Sequence, residues 1–412
     1  MGGDPTRSTF EAAALRVLAE PGWRLLVEAG LAVDAEPRDA LRAAEHLRAR
    51  RPDAPAEERA AALELVGEGR RLAAKLGLDE SLLAVRGAVE QATSARVATW
   101  HAQQLPEGCR LLEIGCGCGG DSLALAHRAA NLIATDVDPV RAACAHTNLM
   151  ALGLGSARAL VADGLAALDG DASRADAVFV DPDRRPGGVR TLDPERWSPP
   201  LSALRDLAAG TRPVFVKAAS ALDPDAAGPR FAVSYVSHGG ACVEAFLASD
   251  GRGDAPEPRV RAVLLPDDGP SLVLAGNRAD APTRALGPAL YVPDPAAVRA
   301  RLLAELCERH ALGLVSDGIA LLTGDAGVVT PWLTEHAVLE SLPLHRKRLR
   351  ARIAALAPAD LRVHCRGVAE TAPALERVLR AGLPERAASE PLDVFATRVA
   401  GVPTAVLTRS PC

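Results

Sequence analysis

The run Leu112-Glu-Ile-Gly-Cys-Gly-Cys-Gly-Gly-Asp121 sets glycines at 115, 117, 119 and 120 between a short apolar stretch and a helical one. Gly115, Gly117 and Gly119 let the backbone turn tightly and approach a ligand with no Cβ in the way. A helix starting near Asp121 would aim its unpaired N–H groups at that ligand. Gly115, Gly117 and Gly120 also satisfy the G-x-G-x-x-G dinucleotide fingerprint, so the glycines alone leave the cofactor open. Asp136 ends the next apolar run, 21 residues after Gly115, where a carboxylate accepts from ribose hydroxyls. NAD and S-adenosylmethionine (SAM) both carry a ribose.

Two further acids favour SAM. Glu113 stands just before the glycines, near where a methionine ammonium needs an acceptor. Asp163 ends a third apolar run, Val161-Ala-Asp163-Gly, and suits an adenine amino group. A fourth run ends in Val180-Asp-Pro-Asp-Arg-Arg185 and a fifth in Phe215-Val-Lys-Ala218. Ligand crevices form at the carboxyl ends of strands, which places Asp181, Arg184 and Lys217 beside the cofactor as catalytic candidates. Methyl transfer is an in-line displacement, so the protein aligns a nucleophile and removes its proton. Asp181 can accept from the acceptor or from the methionine end. Lys217 is one of three lysines against 44 arginines, and a buried ammonium there needs a partner.

The pattern E-x-G-x-G-x-G-G at Glu113–Gly120, with acids at Asp136 and Asp163, resembles the class I SAM-dependent methyltransferases over about residues 105–277. The resemblance implies an α/β fold with a Rossmann-like, seven-stranded core. It also implies cofactor contacts from Glu113, Gly115, Gly117, Gly119, Asp136 and Asp163. Amine-methylating relatives usually carry (N/D)-P-P-(Y/F/W), whereas Asp181-Pro-Asp-Arg184 lacks the second proline and the stacking aromatic. Asp-Pro-x-Arg looks a little like the uracil-5-methyltransferases, which need a cysteine nucleophile. Cys242 is the candidate on sequence order, although a small buried strand residue explains it better. His238 is placed to act as a base or to be a satisfied structural histidine.

Glu90-Gln-Ala-Thr-Ser-Ala-Arg96, Phe215-Val-Lys-Ala218 and Ser237-His-Gly-Gly-Ala-Cys-Val-Glu244 extend the resemblance. Together they look like the bacterial methyltransferases with a helical N-terminal region and a small C-terminal THUMP-like α/β domain. THUMP domains are associated with RNA-modifying enzymes, so an RNA substrate, tRNA or rRNA, is implied. A small-molecule or protein acceptor stays open, as does a catalytically impaired SAM-binding protein associated with RNA.

Three parts are expected: residues 1–105, 106–280 and 281–412. Apolar residues at helical spacing fill the first part, with helices expected over 38–50, 55–76 and 82–104, and no strand signal precedes residue 110. Short apolar runs then alternate with helical stretches, as in a parallel sheet covered on both faces. Runs at 241–247, 260–265 and 271–275 follow so closely that antiparallel pairing at one edge is expected. Residues 278–287 read as a linker. Beyond it come helices over 295–310, 344–356 and 372–381, a further segment over 361–366, and strands over 393–399 and 403–408.

The net charge is −5, and only residues 281–412 are net basic, with 16 bases against 13 acids. His345-Arg-Lys-Arg-Leu-Arg-Ala-Arg352 holds five bases with no acid between Glu340 and Asp360. It reads equally as a phosphate-tracking helix or as the solvated face of an amphipathic one. Arg184, Arg185 and Arg190 could clamp phosphates. Aromatics make up only 3%, with Trp197, Tyr235 and Trp332 as the few stacking candidates. Eight scattered cysteines and nine histidines show no ligand spacing, so no metal is expected. No apolar window reaches a membrane span and the start carries no secretory pattern, so the expected location is cytoplasmic. Nothing sets an oligomeric state.

Overall fold

The computed structural model describes residues 5–19, 22–36, 39–170, 172–185, 189, 191–381 and 390–409. The chain divides into two compact units, residues 1–232 with 246–255, and residues 233–245 with 256–412. This division differs from the three expected parts. The N-terminal helices share a unit with the first half of the sheet.

The first unit opens with α1 (Pro5–Leu18), α2 (Trp23–Ala35), α3 (Ala40–Arg50), α4 (Ala56–Leu76), α5 (Ala88–Gln91) and α6 (Ala95–Gln104). In α4, Ala61, Ala62, Leu65, Val66, Leu72, Ala73 and Leu76 recur at helical spacing and are buried, and Gly77 ends the helix at φ 67°. A Cβ on Gly69 would lie 1.8 Å from the Leu82 carbonyl oxygen, so glycine there lets the following chain pack directly on α4. The single helix expected over 82–104 is interrupted. Gly87, at φ 79°, leads into α5, and Ala92 leaves it in an extended conformation. Thr93 sits in that break.

Strand and helix then alternate: β1 (Arg110–Ile114), α7 (Ser122–Ala126), β2 (Asn131–Asp136), α8 (Pro139–Ala151), β3 (Ala157–Val161), α9 (Gly164–Ala167), β4 (Ala177–Val180), α10 (Leu201–Ala208) and β5 (Val214–Ala218). β6 (Ala232–His238) and β7 (Ala241–Ser249) follow, and the division between units falls within β7. In the first unit the strands lie in the order β3-β2-β1-β4-β5, continued by the last part of β7. β1 pairs with β2 and β4 in parallel, as β2 does with β3 and β4 with β5. The chain winds to one side of β1 and then restarts at β4 on the other. Such a reversal opens a crevice at the carboxyl ends of β1 and β4. Both β4 and β5 are buried along their whole length, as strands covered on both faces must be.

In the second unit, Gly239 and Gly240, at φ 59° and 76°, join β6 to β7 by a two-residue hairpin. Because β7 runs back, β8 (Val260–Leu265) returns along the free flank of β6 and pairs with it in parallel. β9 (Leu272–Ala275) then pairs antiparallel with β8. The antiparallel edge expected for three runs is thus confined to β8 and β9, since the order is β7-β6-β8-β9.

Next come β10 (Ala289–Pro293), α11 (Pro295–Arg299), α12 (Leu303–His310), β11 (Gly313–Leu314), β12 (Leu322–Gly324) and β13 (Leu333–Pro343). The unit ends with α13 (Arg346–Leu356), β14 (Leu361–Cys365), α14 (Ala372–Arg380), β15 (Leu392–Val399) and β16 (Val402–Arg409). A second sheet runs β11-β12-β10-β13-β16-β15-β14. The helix expected over 295–310 breaks at Arg301, at φ 58°, and β10 to β13 were not anticipated. Residues 278–287 carry no regular element, yet Thr283 bridges to Leu314, so the segment is anchored. Leu349 and Ile353 of α13 and Leu375 and Leu379 of α14 close over Leu361, Val363, Val394 and Leu407.

Candidate active site

β1 delivers the chain into Gly115, whose amide and that of Cys116 donate to the Thr135 carbonyl at 2.8 and 3.0 Å. Gly115 has φ 82°, and a Cβ there would lie 2.3 Å from the Asp181 carbonyl oxygen. Glycine therefore lets this turn rest against the end of β4. Gly117 donates to Asp136 Oδ2 at 2.9 Å, and no atom lies within 4 Å of where its Cβ would be. The Gly119 amide donates to the Cys116 carbonyl. The amides of 115, 116, 117 and 119 are thus satisfied within the protein. α7 has only five residues, shorter than the helix expected over 121–130, and Asp121 makes no capping bond to it.

Asp136 Oδ1 accepts from the Asp138 amide at 2.8 Å and Oδ2 from Gly117. Burial pushes this carboxyl up, and the two backbone donors oppose that. Each carboxylate oxygen has two lone pairs, so capacity for a diol remains. Val137, 74% exposed, and the exposed Val161 add apolar surface at the ends of β2 and β3. Asp163 Oδ1 accepts from the amides of Leu165 and Ala166 at 2.9 and 3.3 Å, which starts α9. Glu113 is 1% exposed and accepts from Ser122 Oγ at 2.6 Å. Burial pushes its carboxyl up to about 8. Open space at Gly117, acceptor capacity at Asp136 and flanking valines fit a nucleoside cofactor such as SAM.

A second, buried polar network is built around Lys217. Its Nζ donates to Thr93 Oγ1 at 2.7 Å, Asp121 Oδ2 at 2.8 Å and Asp181 Oδ2 at 2.5 Å. Three acceptors use all three donors of an ammonium. Thr93 in turn donates to Asp121 Oδ2 at 2.7 Å, and His101 Nδ1 lies 2.8 Å from Asp121 Oδ1. Burial disfavours the Asp121 charge, but Lys217 and His101 outweigh it and hold the carboxyl far below the usual range. Facing an ionised Asp121, His101 Nδ1 is the donor. The His101 ring is buried and stacks on Phe246 at 5.0 Å and 12°. The Lys217 side chain is 6% exposed and that of Asp181 28%. Asp181 is therefore the member that faces outward, and its Oδ1 has no partner among the described residues.

The sequence placed Asp181 and Lys217 on neighbouring strand ends, and the structure brings them into contact. Thr93, His101 and Asp121 were missed as partners. Lys217 is more enclosed than Asp181, the member of the pair nearer to solvent. Arg184 is half-buried and Arg185 exposed, and neither guanidinium bonds another described residue. Their loop is pinned by reciprocal backbone bonds between Asp183 and Ser198 at 2.9 and 3.0 Å. Arg190 lies outside the described residues.

Cys242 and His238 belong to the second unit. Burial pushes the Cys242 thiol up to about 12, the opposite of an activated nucleophile. His238 Nδ1 meets the Leu265 carbonyl at 3.1 Å. In α13, Leu349 and Ile353 are buried, Arg346 pairs with Glu370 and Arg352 with Glu340. Lys347, Arg348 and Arg350 are exposed with no acidic partner among the described residues. Trp197, Tyr235 and Trp332 are buried, so none offers a stacking face. Among the described residues no three metal-ligating side chains converge, and no helix is long and apolar enough to cross a membrane.

Comparison with known proteins adds three findings. The THUMP domain-like family matches residues 333–410. Uncharacterised S-adenosylmethionine-dependent methyltransferases from two strains of Mycobacterium tuberculosis, CDC 1551 and H37Rv, are each 34% identical over 320 residues, covering 76% of this chain and 83% of theirs. The crystal structure of a Porphyromonas gingivalis W83 protein assigned as a methyltransferase superposes with a TM-score of 0.75 at 18% identity. It covers 94% of this chain and 98% of its own, a likeness of fold.

Proposed function

Because the chain belongs to the S-adenosylmethionine-dependent methyltransferases, we propose that it methylates a nucleotide of RNA, in tRNA or rRNA. Residues 106–280 would carry the transfer and 281–412 the RNA contact. The observation that carries the catalytic half is the Lys217–Asp181 pair, which holds one carboxylate oxygen and leaves the other outward. The THUMP-like segment supports the RNA half, as do Lys347, Arg348 and Arg350 on α13, which are exposed with no acidic partner among the described residues.

The bound cofactor supplies a methyl group on a sulfonium, an electrophile needing no further activation. Gly115, Gly117 and Gly119 shape the turn that receives it, Asp136 accepts from its ribose, and Asp163 Oδ2, with no partner among the described residues, accepts from its adenine amino group. Glu113, neutral at pH 7, braces the turn through Ser122. Asp181 Oδ1 accepts a hydrogen bond from the acceptor's N–H or O–H and takes its proton. Lys217 fixes the other oxygen so that the carboxylate does not rotate. Arg184 is placed for a phosphate of the same nucleotide.

Tritium-labelled SAM, incubated with the protein and either total bacterial RNA or the low-mass metabolite fraction, tests this. Label in RNA supports it, and label confined to the low-mass fraction overturns the RNA half. The burial of Trp197, Tyr235 and Trp332 favours a second reading, a small-molecule or protein acceptor, since single-strand readers rely on exposed aromatics.

A further inference from the structure

Trp197, Tyr235 and Trp332 are buried, but His364 of the second unit offers the stacking face that they do not. It lies on β14, the outermost strand of the second sheet, and its side chain is 43% exposed. Side chains alternate along a strand, so Leu361 and Val363 enter the core under α13 and α14 while Arg362 and His364 share the opposite face. On the neighbouring β15, Asp393 stands beside Arg362 and Phe395 beside His364.

The ring is held from two sides. Phe395 lies under it with 4.6 Å between centroids and 16° between planes, and Asp393 Oδ1 is 3.0 Å from its Nε2. Both supports are buried, Phe395 in a core shared with Leu290 and Val406. With one face on Phe395 and Nε2 on Asp393, the exposure of His364 falls on its other face and its Nδ1 edge. A ring already fixed in this way loses little freedom when a second flat group covers it. Arg362 stands two positions along the strand, roughly 7 Å away, and is exposed. Its ion-pair partner Asp360 is 3.6 Å off and already takes Arg380 at 2.9 Å. A flat aromatic face beside a loosely paired guanidinium matches a base and a phosphate. Duplex bases keep their faces stacked on one another, so only an unpaired nucleotide presents both.

We infer that His364 and Arg362 form a subsite for an unpaired nucleotide of RNA, with the base on the ring and a phosphate on the guanidinium. Phe395 and Asp393 are positioning residues that hold the ring flat. α13 covers the other face of this sheet, so the subsite is separate from Lys347, Arg348 and Arg350. The inference rests on the RNA reading and narrows it to single-stranded segments, such as loops or ends.

The test is fluorescence anisotropy of the full-length protein with a labelled oligoadenylate and with an RNA duplex of the same length. His364→Gln keeps a donor for Asp393 and gives up the ring. It should weaken oligoadenylate binding by on the order of tenfold, the scale of one base stack, and leave duplex binding unchanged. His364→Phe combined with Asp393→Asn restores a ring without leaving a buried charge unpaired, and should recover most of the lost affinity. Arg362→Gln should weaken oligoadenylate binding and flatten its salt dependence by about one phosphate contact. Affinities for both RNAs that fall in step in His364→Gln would mean that the residue only holds the sheet, and would overturn the proposal. RNA binding by the wild type that His364→Gln leaves unchanged would sink this subsite alone. No binding of either RNA by the wild type would sink it together with the RNA reading.

Discussion

Two buried aspartates, one in each unit, sit between basic groups and end up differently satisfied. In the first unit Asp121 bonds Lys217, Thr93 and His101, and both of its oxygens are used. In the second, Asp393 Oδ1 meets His364 Nε2 at 3.0 Å, while Oδ2 and His336 Nδ1 lie 3.5 Å apart with no hydrogen-bond partner for either among the described residues. A complete network has one low-energy arrangement, because any movement leaves a buried polar group unpaired. A half-satisfied one has already accepted that cost. The difference is that the geometry of the Lys217 cluster is fixed by its hydrogen bonds, whereas that of the Asp393 pair is held less completely.

The comparison breaks most clearly at Lys217. Removing its ammonium leaves Asp121 buried without its main counter-charge, so Lys217→Met should lose about 3–5 kcal/mol of unfolding free energy, read by denaturant titration. A loss below about 1 kcal/mol would mean that the network does not constrain the fold as described.

One buried group in each unit should respond to pH in the opposite sense to the other. Burial raises Glu113 from 4.5 to about 8, so the folded state holds its proton more tightly than the unfolded chain. That stabilisation is complete below pH 4.5 and is lost as pH rises toward 8, by up to about 1.4 kcal/mol per pH unit. Glu113→Gln should flatten this slope, and an unchanged slope would place its origin elsewhere. His336 is lowered by burial from 6.5, so its contribution is present above pH 6.5 and is lost on acidification. His336→Gln should leave the alkaline slope alone and soften only the acid one. The smallest effect is expected at Asp393→Asn, about 1 kcal/mol, because one oxygen already lacks a partner and the amide oxygen still accepts from His364. A loss as large as that of Lys217→Met would erase the contrast between the two sites.

Local patterns carried much of this into the sequence. Alternate glycines between a strand and a helix show where the backbone must turn, and Asp136, Asp163, Asp181 and Lys217 stand at or just beyond the ends of apolar runs. These signals are short-range, and β1 to β9 follow the expected runs closely. The partners of Lys217 are not short-range. Thr93 is 124 residues away and Asp121 is 96 away, with Thr93 in a break inside an expected helix. The side of β6 that β8 would take depends on the direction of β7, which hydrophobicity does not encode. β13 escaped because Thr334, Glu335, His336, Glu340 and Ser341 break its apolar run.

The most direct test of the account separates binding from turnover at Asp181, in one preparation of the full-length protein. Asp181→Ala should lower methyl transfer from tritiated SAM to RNA by at least about a hundredfold, as loss of a positioned base does, while changing SAM affinity far less. An unchanged transfer rate, or a rate that falls only as far as SAM affinity does, would contradict the role given to Asp181 and to the cluster that holds it.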